Sequence, residues 1–112
     1  MAQSQPAPKQ YMVLLKPGPK WVAGKPAAEQ ALSNHGHYLQ QQMTKGALQL
    51  AGPFQDDSGG LVLYNGKDEA EVRAITEHDP GVAEGILAVE WIRPFYLAFD
   101  AKTGKSPFNP PK

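Results

Sequence analysis

The sequence predicts an α+β domain with element order β-α-β-β-α-β, folded as one antiparallel sheet with both helices on one face. Three observations predict it. Four short apolar runs are bounded by Gly, Pro, Asn or Asp, as strands are. Two stretches between them carry apolar residues at helical spacing. The 112 residues are 41% hydrophobic, enough for one core and one domain.

Residues 11–16 (YMVLLK) read as a buried strand, ended by Pro17, Gly18 and Pro19. A long loop follows, anchored by Trp21 and Val22. Residues 26–45 read as one helix. Pro26 suits its first turn, and Gly46 suits the position just past its end. Ala28, Leu32, His35, Leu39 and Met43 step by three or four residues and form one face. Residues 48–54 (LQLAGPF) and 60–64 (GLVLY) read as a hairpin around an Asp56-Asp57-Ser58-Gly59 turn. Asp68, with Glu71 three residues later, opens a second helix in the manner of a capping box. That helix runs to about His78 and ends at Asp79-Pro80, with one further turn over 82–85.

Residues 87–97 (LAVEWIRPFYL) read as the last strand. Pro94 places it at a sheet edge or at a bulge. Simple alternation puts Leu87, Val89, Trp91, Arg93 and Phe95 on one side and Ala88 and Ile92 on the other. The order is the split βαβ, or ferredoxin-like, pattern. It leaves one sheet face uncovered by its own chain. A second copy packed face to face is the simplest cover, so a homodimer is expected. Residues 1–10 are expected as a disordered N-terminal tail and residues 101–112 as an extended C-terminal tail, leaving a folded domain over 11–100.

Eleven basic and eleven acidic residues balance to zero, and no basic stripe is visible. Nucleic-acid binding lacks its electrostatic footprint. There are no cysteines, which excludes disulfides, thiolate metal sites and Cys nucleophiles. No run approaches the roughly 18 apolar residues of a membrane span. The expectation is a cytoplasmic protein. The alternative is a periplasmic or secreted one, its Pro-rich start being what remains after a signal peptide is removed.

Two polar residues interrupt the buried stripes. His35 falls among Leu32, Leu39 and their neighbours, and Asp79 continues Val72 and Ile75. A core-facing imidazole and a core-facing carboxylate each need a partner. If the fold joins them, they form an acid/base pair. The plainer reading of His35 is a core histidine bonded to a backbone carbonyl, and Asp79-Pro80 is also an ordinary helix stop. A slip of one residue in the second helix would exchange the faces of Asp79 and His78. His37 lies about 200° from His35 around the helix, so the two do not chelate a metal. Asp57 and Ser58 are turn formers that can rim a pocket. Gly52 and Pro53 end a strand where a ligand can approach. Arg93 is a candidate partner for an acid or an anionic substrate.

The spacing around His35 resembles that of the YCII-related (YciI-like) proteins. His35, Tyr38-Leu39, Gly46 and Ala51-Gly52-Pro53 match their HxxYL, helix-ending glycine and AGP elements. Asp56-Asp57-Ser58-Gly59-Gly60 is similar to their acidic, glycine-rich turn. The segment from Asp79-Pro80 to Gly85 is similar to DPxVxxG, and Ile92-Arg93-Pro94-Phe95 to the closing motif. Gly36-His37 and the long loop before the first helix are local departures. The resemblance implies the dimeric α/β-barrel superfamily fold, with His35 and Asp79 as the proposed active-site pair. One activity described in the family is dehydrochlorination of a chlorinated hydroquinone. The expected function is therefore acid–base catalysis of an elimination or isomerisation-type proton transfer on a small cyclic or phenolic compound. Its substrate is unknown, and no metal or organic cofactor is called for. The alternative is a non-catalytic, dimeric accessory protein that binds a small ligand.

Overall fold

The structure, a computed structural model, describes residues 9–108. Its elements are β1 (Gln10–Pro17), α1 (Ser33–Thr44), β2 (Leu48–Pro53), β3 (Gly60–Asn65), α2 (Glu69–Glu77), α3 (Pro80–Ala83) and β4 (Leu87–Phe95). The strands lie in the order β2-β3-β1-β4, every neighbouring pair antiparallel. This is the α+β, ferredoxin-like arrangement with the helices on one face of the sheet. The part of the N-terminal tail over 1–8 lies outside the described residues.

β1 is central and alternates as its sequence requires. Tyr11, Val13 and Leu15 are buried under the helices. They join Leu48, Val62, Tyr64, Val72, Leu87 and Ile92 in the core. Local chemistry fixes the helix ends. Asp68 Oδ1 accepts from the amide of Glu71 at 2.9 Å, capping α2. Gly46, at φ 84°, closes α1 with paired bonds from Ala47 N to Gln42 O and from Gly46 N to Met43 O. That is the Schellman pattern, and it favours glycine at the left-handed position.

Two expectations from simple periodicity are corrected. The pairing of β1 with β4 shifts register between Leu14 and Leu15, where Glu90 is the extra residue of a bulge. Alternation therefore reverses partway along β4. Leu87, Val89 and Ile92 share the helix face, opposite Pro17, Leu15 and Val13. Ala88, Trp91, Arg93 and Phe95 share the open face, opposite Lys16, Leu14, Met12 and Gln10. Pro94 lies on an edge strand, as its missing N–H requires.

The first helix is also shorter than 26–45. Residues Ala27–Glu29 form a separate 3-10 turn, and Gln30 is extended at ψ 160°. Buried Gln30 donates from Nε2 to the carbonyls of Val22 and Lys25 and accepts from the amide of Val22. These three bonds tie the loop into a compact unit and turn the chain before α1. At the other end, Met43 is 50% exposed and Gln42 is buried instead. Both lie at similar angles to the stripe's mean direction, and only the side toward Gln42 is covered.

The face away from the helices carries Met12, Leu14, Leu50, Leu61, Leu63, Trp91 and Phe95. Leu50 and Phe95 are exposed there. Beyond β4, Asp100 and Lys105 bridge through a tight turn, so the segment read as an extended tail carries local structure. No helix among the described residues is long and apolar enough to cross a membrane.

Asp68→Ala removes the α2 cap without touching the core. It is expected to lower the stability measured by urea unfolding by about 1 kcal/mol, with the denaturant slope unchanged. An unchanged midpoint would show that the cap contributes nothing.

Candidate active site

α1 and α3 bring His35 and Asp79 together. Nδ1 of His35 lies 2.8 Å from Oδ1 and 2.7 Å from Oδ2 of Asp79. A carboxylate only accepts, so Nδ1 carries the hydrogen. Asp79 is 1% exposed, while the His35 side chain keeps 16% of its surface. Asp79 Oδ1 also accepts from the amide of Gly81 at 2.9 Å and caps α3. One carboxylate thus starts a helix and orients an imidazole on another. The bonded Nδ1 leaves Nε2, with no protein partner among the described residues, on a side chain that lines a cavity.

The surroundings of Asp79 are aromatic. Tyr38 stands three residues after His35, on the same side of α1. Its hydroxyl donates to the carbonyl of Ile75 at 2.6 Å, tying α1 to the last turn of α2. Burial, then the nearby Asp79 charge, raises the Tyr38 phenol above its ordinary range. Burial raises Tyr64 much further, with Asp79 and Tyr38 adding to it. Both phenols are therefore neutral groups near the carboxylate at ordinary pH.

Gly81 packs directly on the imidazole. A Cβ there would stand 3.0–3.1 Å from Cβ, Cγ and Nδ1 of His35. Ala is favoured over Gly in a helix by about 0.8–1 kcal/mol, so the glycine is retained here against propensity. It gives the ring room to reach Asp79.

The cavity has a volume of about 430 Å³ and lies between α1, the loop before it and the strands beneath. Leu15, Val62 and Leu87 form its floor, and Trp21, Leu32 and Leu39 its walls. Gly52 and Pro53 line it, as does Gly60. Asp57 does not line it. Its Oδ1 accepts from the amide of Ala27 at 2.9 Å and holds the loop against the β2–β3 turn. Ser58 donates to Asp56 from both its amide and its hydroxyl, which lowers the Asp56 carboxyl. Arg93 lies on the opposite sheet face, its guanidinium 4.6 Å from the Trp91 ring. The structure therefore sets His35, Gly52 and Pro53 around one space, with Asp79 behind the His35 ring, and leaves Arg93 out. His37 is exposed, and His78 donates from Nδ1 to the Ala74 carbonyl at 2.7 Å. No group of three His, Cys, Asp or Glu able to hold a metal ion occurs among the described residues.

The family model of the YCII-related domain matches residues 9–96, nearly the whole described chain. The chain belongs to the YCII-related domain family. No curated relative matches the sequence. Within this YCII-related domain, two neighbours of the pair and one cavity residue carry no signal of those positions in the sequence. Gly81 has no role of its own in the sequence, Tyr64 reads as a strand aromatic, and Trp21 reads as a loop anchor. Only Tyr38 carried a signal, its spacing of three from His35.

Two outcomes are expected. Gly81→Ala should not raise stability despite its helix propensity, and should move the His35 ring resonances in an NMR spectrum. A stabilised variant with an unmoved ring would show slack space there. In a spectroscopic phenolate titration, Tyr38 and Tyr64 should stay protonated past the ordinary pKa of about 10, Tyr64 the further of the two. Their raised folded values stabilise the protein fully below that pH. This contribution is lost as pH rises through the folded values, because the unfolded chain releases the protons first. Four ordinary phenols would contradict the placement of Tyr38 and Tyr64.

Proposed function

We propose that this YCII-related domain is a small-molecule enzyme using His35 as general acid–base and Asp79 as its orienting partner. The observation that supports this most is the Nδ1 bond to Asp79 on a ring that lines the cavity, which leaves Nε2 as the nitrogen without a protein partner among the described residues. In its neutral form the imidazole presents a lone pair there. That lone pair takes a proton from a substrate carbon or hydroxyl, and the resulting imidazolium stands beside a carboxylate that offsets its charge. The same nitrogen returns the proton to a neighbouring atom or to water. An isomerisation uses the first route. An elimination uses the second, with the electron pair of the broken C–H bond expelling a leaving group. His35, Asp79, Gly52 and Pro53 compose the proposed site. Asp57 supports its wall.

The working unit is proposed to be a homodimer, joined through the open sheet face in the manner of the dimeric α/β barrels. What supports this is the row of half-buried Met12, Leu14, Leu61 and Trp91, with exposed Leu50 and Phe95, on a face that the helices leave uncovered. Such contiguous apolar surface is uncommon on a monomer.

His35→Gln is expected to abolish turnover of a substrate found by screening, by about 10²–10⁴-fold, while the unfolding midpoint and the dimer survive. Asp79→Asn is expected to lose turnover while keeping the α3 cap. If both variants merely unfold the protein and turnover per folded molecule is unchanged, the pair is structural and the ligand-binding reading replaces catalysis. Separately, Leu14→Arg is expected to shift the mass measured by light scattering from dimer to monomer. A wild type that is already monomeric would remove the dimer.

A further inference from the structure

The cavity says more about its occupant than that it is small. Its walls are almost wholly carbon, from Leu15, Trp21, Leu32, Leu39, Val62 and Leu87. No Lys, Arg, Asp or Glu lines it, and His35 is its one titratable side chain. Arg93, the cation that an anionic substrate would want, is on the far side of the sheet. The imidazole that lines the cavity is backed by a carboxylate 2.7 Å from its Nδ1. An anion entering here would leave water, meet no cationic side chain and approach a site already carrying the Asp79 charge.

Size bounds the occupant as well. A dry apolar cavity of roughly 150 Å³ is known to take one benzene ring. At about 430 Å³, this one is nearly three times larger. Its volume falls within the range of small-molecule sites rather than of packing voids.

We infer that the cavity selects an uncharged, mostly hydrocarbon molecule of one or two rings, which offers a single weakly acidic hydrogen to Nε2 of His35. This rests on the acid–base reading for the role of His35. The hydrocarbon body is held by burial alone. Orientation comes from the contact with His35, because the other polar side-chain atom on the wall, Nε1 of Trp21, only donates and cannot take the ligand's hydrogen. Carboxylates and phosphate esters of the same ring size are excluded by charge.

The test is a matched pair of probes, naphthol and naphthoate, which share a ring system and differ in charge at neutral pH. Binding to the full-length protein is followed by NMR through the two tryptophan indole N–H signals, assigned with Trp91→Phe, and through the His35 ring nitrogens. Naphthol is expected to bind about tenfold tighter than naphthoate, and to shift Trp21 rather than Trp91. Ala28→Lys, an exposed position on the cavity wall, is expected to narrow or reverse the preference. Naphthoate binding as tightly as naphthol in the wild type would overturn the inference. So would a shift of Trp91 alone, which would place the probe on the open sheet face. The His35 signals separate the two claims. Naphthol preference with an unmoved His35 ring upholds the ligand class and sinks the acid–base reading. A moved His35 ring with naphthoate preferred does the reverse.

Discussion

The contact between Asp79 and His35 is the constraint on which the site depends. A buried carboxylate costs several kcal/mol to desolvate unless its lone pairs are met. Asp79 meets that cost with Nδ1 of His35 and the amide of Gly81. Both donors come from elements that would otherwise be free to shift. α3 is only four residues long and begins at this carboxylate. The apolar contacts of α1 with the sheet by themselves fix no ring orientation. The pair therefore converts non-directional burial into a defined imidazole orientation. Tyr38 braces the same junction by bonding the end of α2, and Gly81 keeps it open enough for the ring.

A second constraint acts on the sheet. Glu90 adds one residue to β4 opposite the Leu14 and Leu15 step, and every side chain beyond it changes face. Without that bulge, Ile92 would leave the core and Trp91 would enter it. With it, the helix side gains Ile92, and the open side gains Trp91, Phe95 and Arg93. The two sheet faces thus have different chemistry. One holds a closed core and a cavity with a single titratable side chain. The other presents an apolar surface with a guanidinium resting on an indole.

Much of this was legible in the sequence. Element order, the Asp68 cap, the glycine stop at Gly46 and the edge position of Pro94 all follow from local rules, and the structure has each. His35 and Asp79 were visible as polar breaks in apolar stripes, because both needed a partner and the chain offered few. What stayed hidden depends on contacts between distant segments. Nothing local marks Glu90 as a bulge, so Arg93 reads as sharing the face of Leu87 and Val89, as a candidate partner for an acid or an anionic substrate, and lies on the other face. Nothing local tells that Gln30 spends its amide on the backbone of Val22 and Lys25, so one helix was expected where a turn, a break and a shorter helix occur. Asp57 read as a pocket rim and is a clasp on Ala27. Gly81 could be recognised only once the imidazole lay against it.

The central claim is that Asp79 fixes the His35 tautomer so that Nε2 offers its lone pair to the cavity. Long-range proton–nitrogen correlation NMR of the neutral imidazole tests it most directly, since it reads which nitrogen carries the hydrogen. The account predicts that His35 is held as the Nδ1–H form in the wild type, and that Asp79→Ala releases it to the mixture of tautomers a free histidine shows. A wild-type His35 protonated at Nε2, or one indifferent to the loss of Asp79, would contradict it.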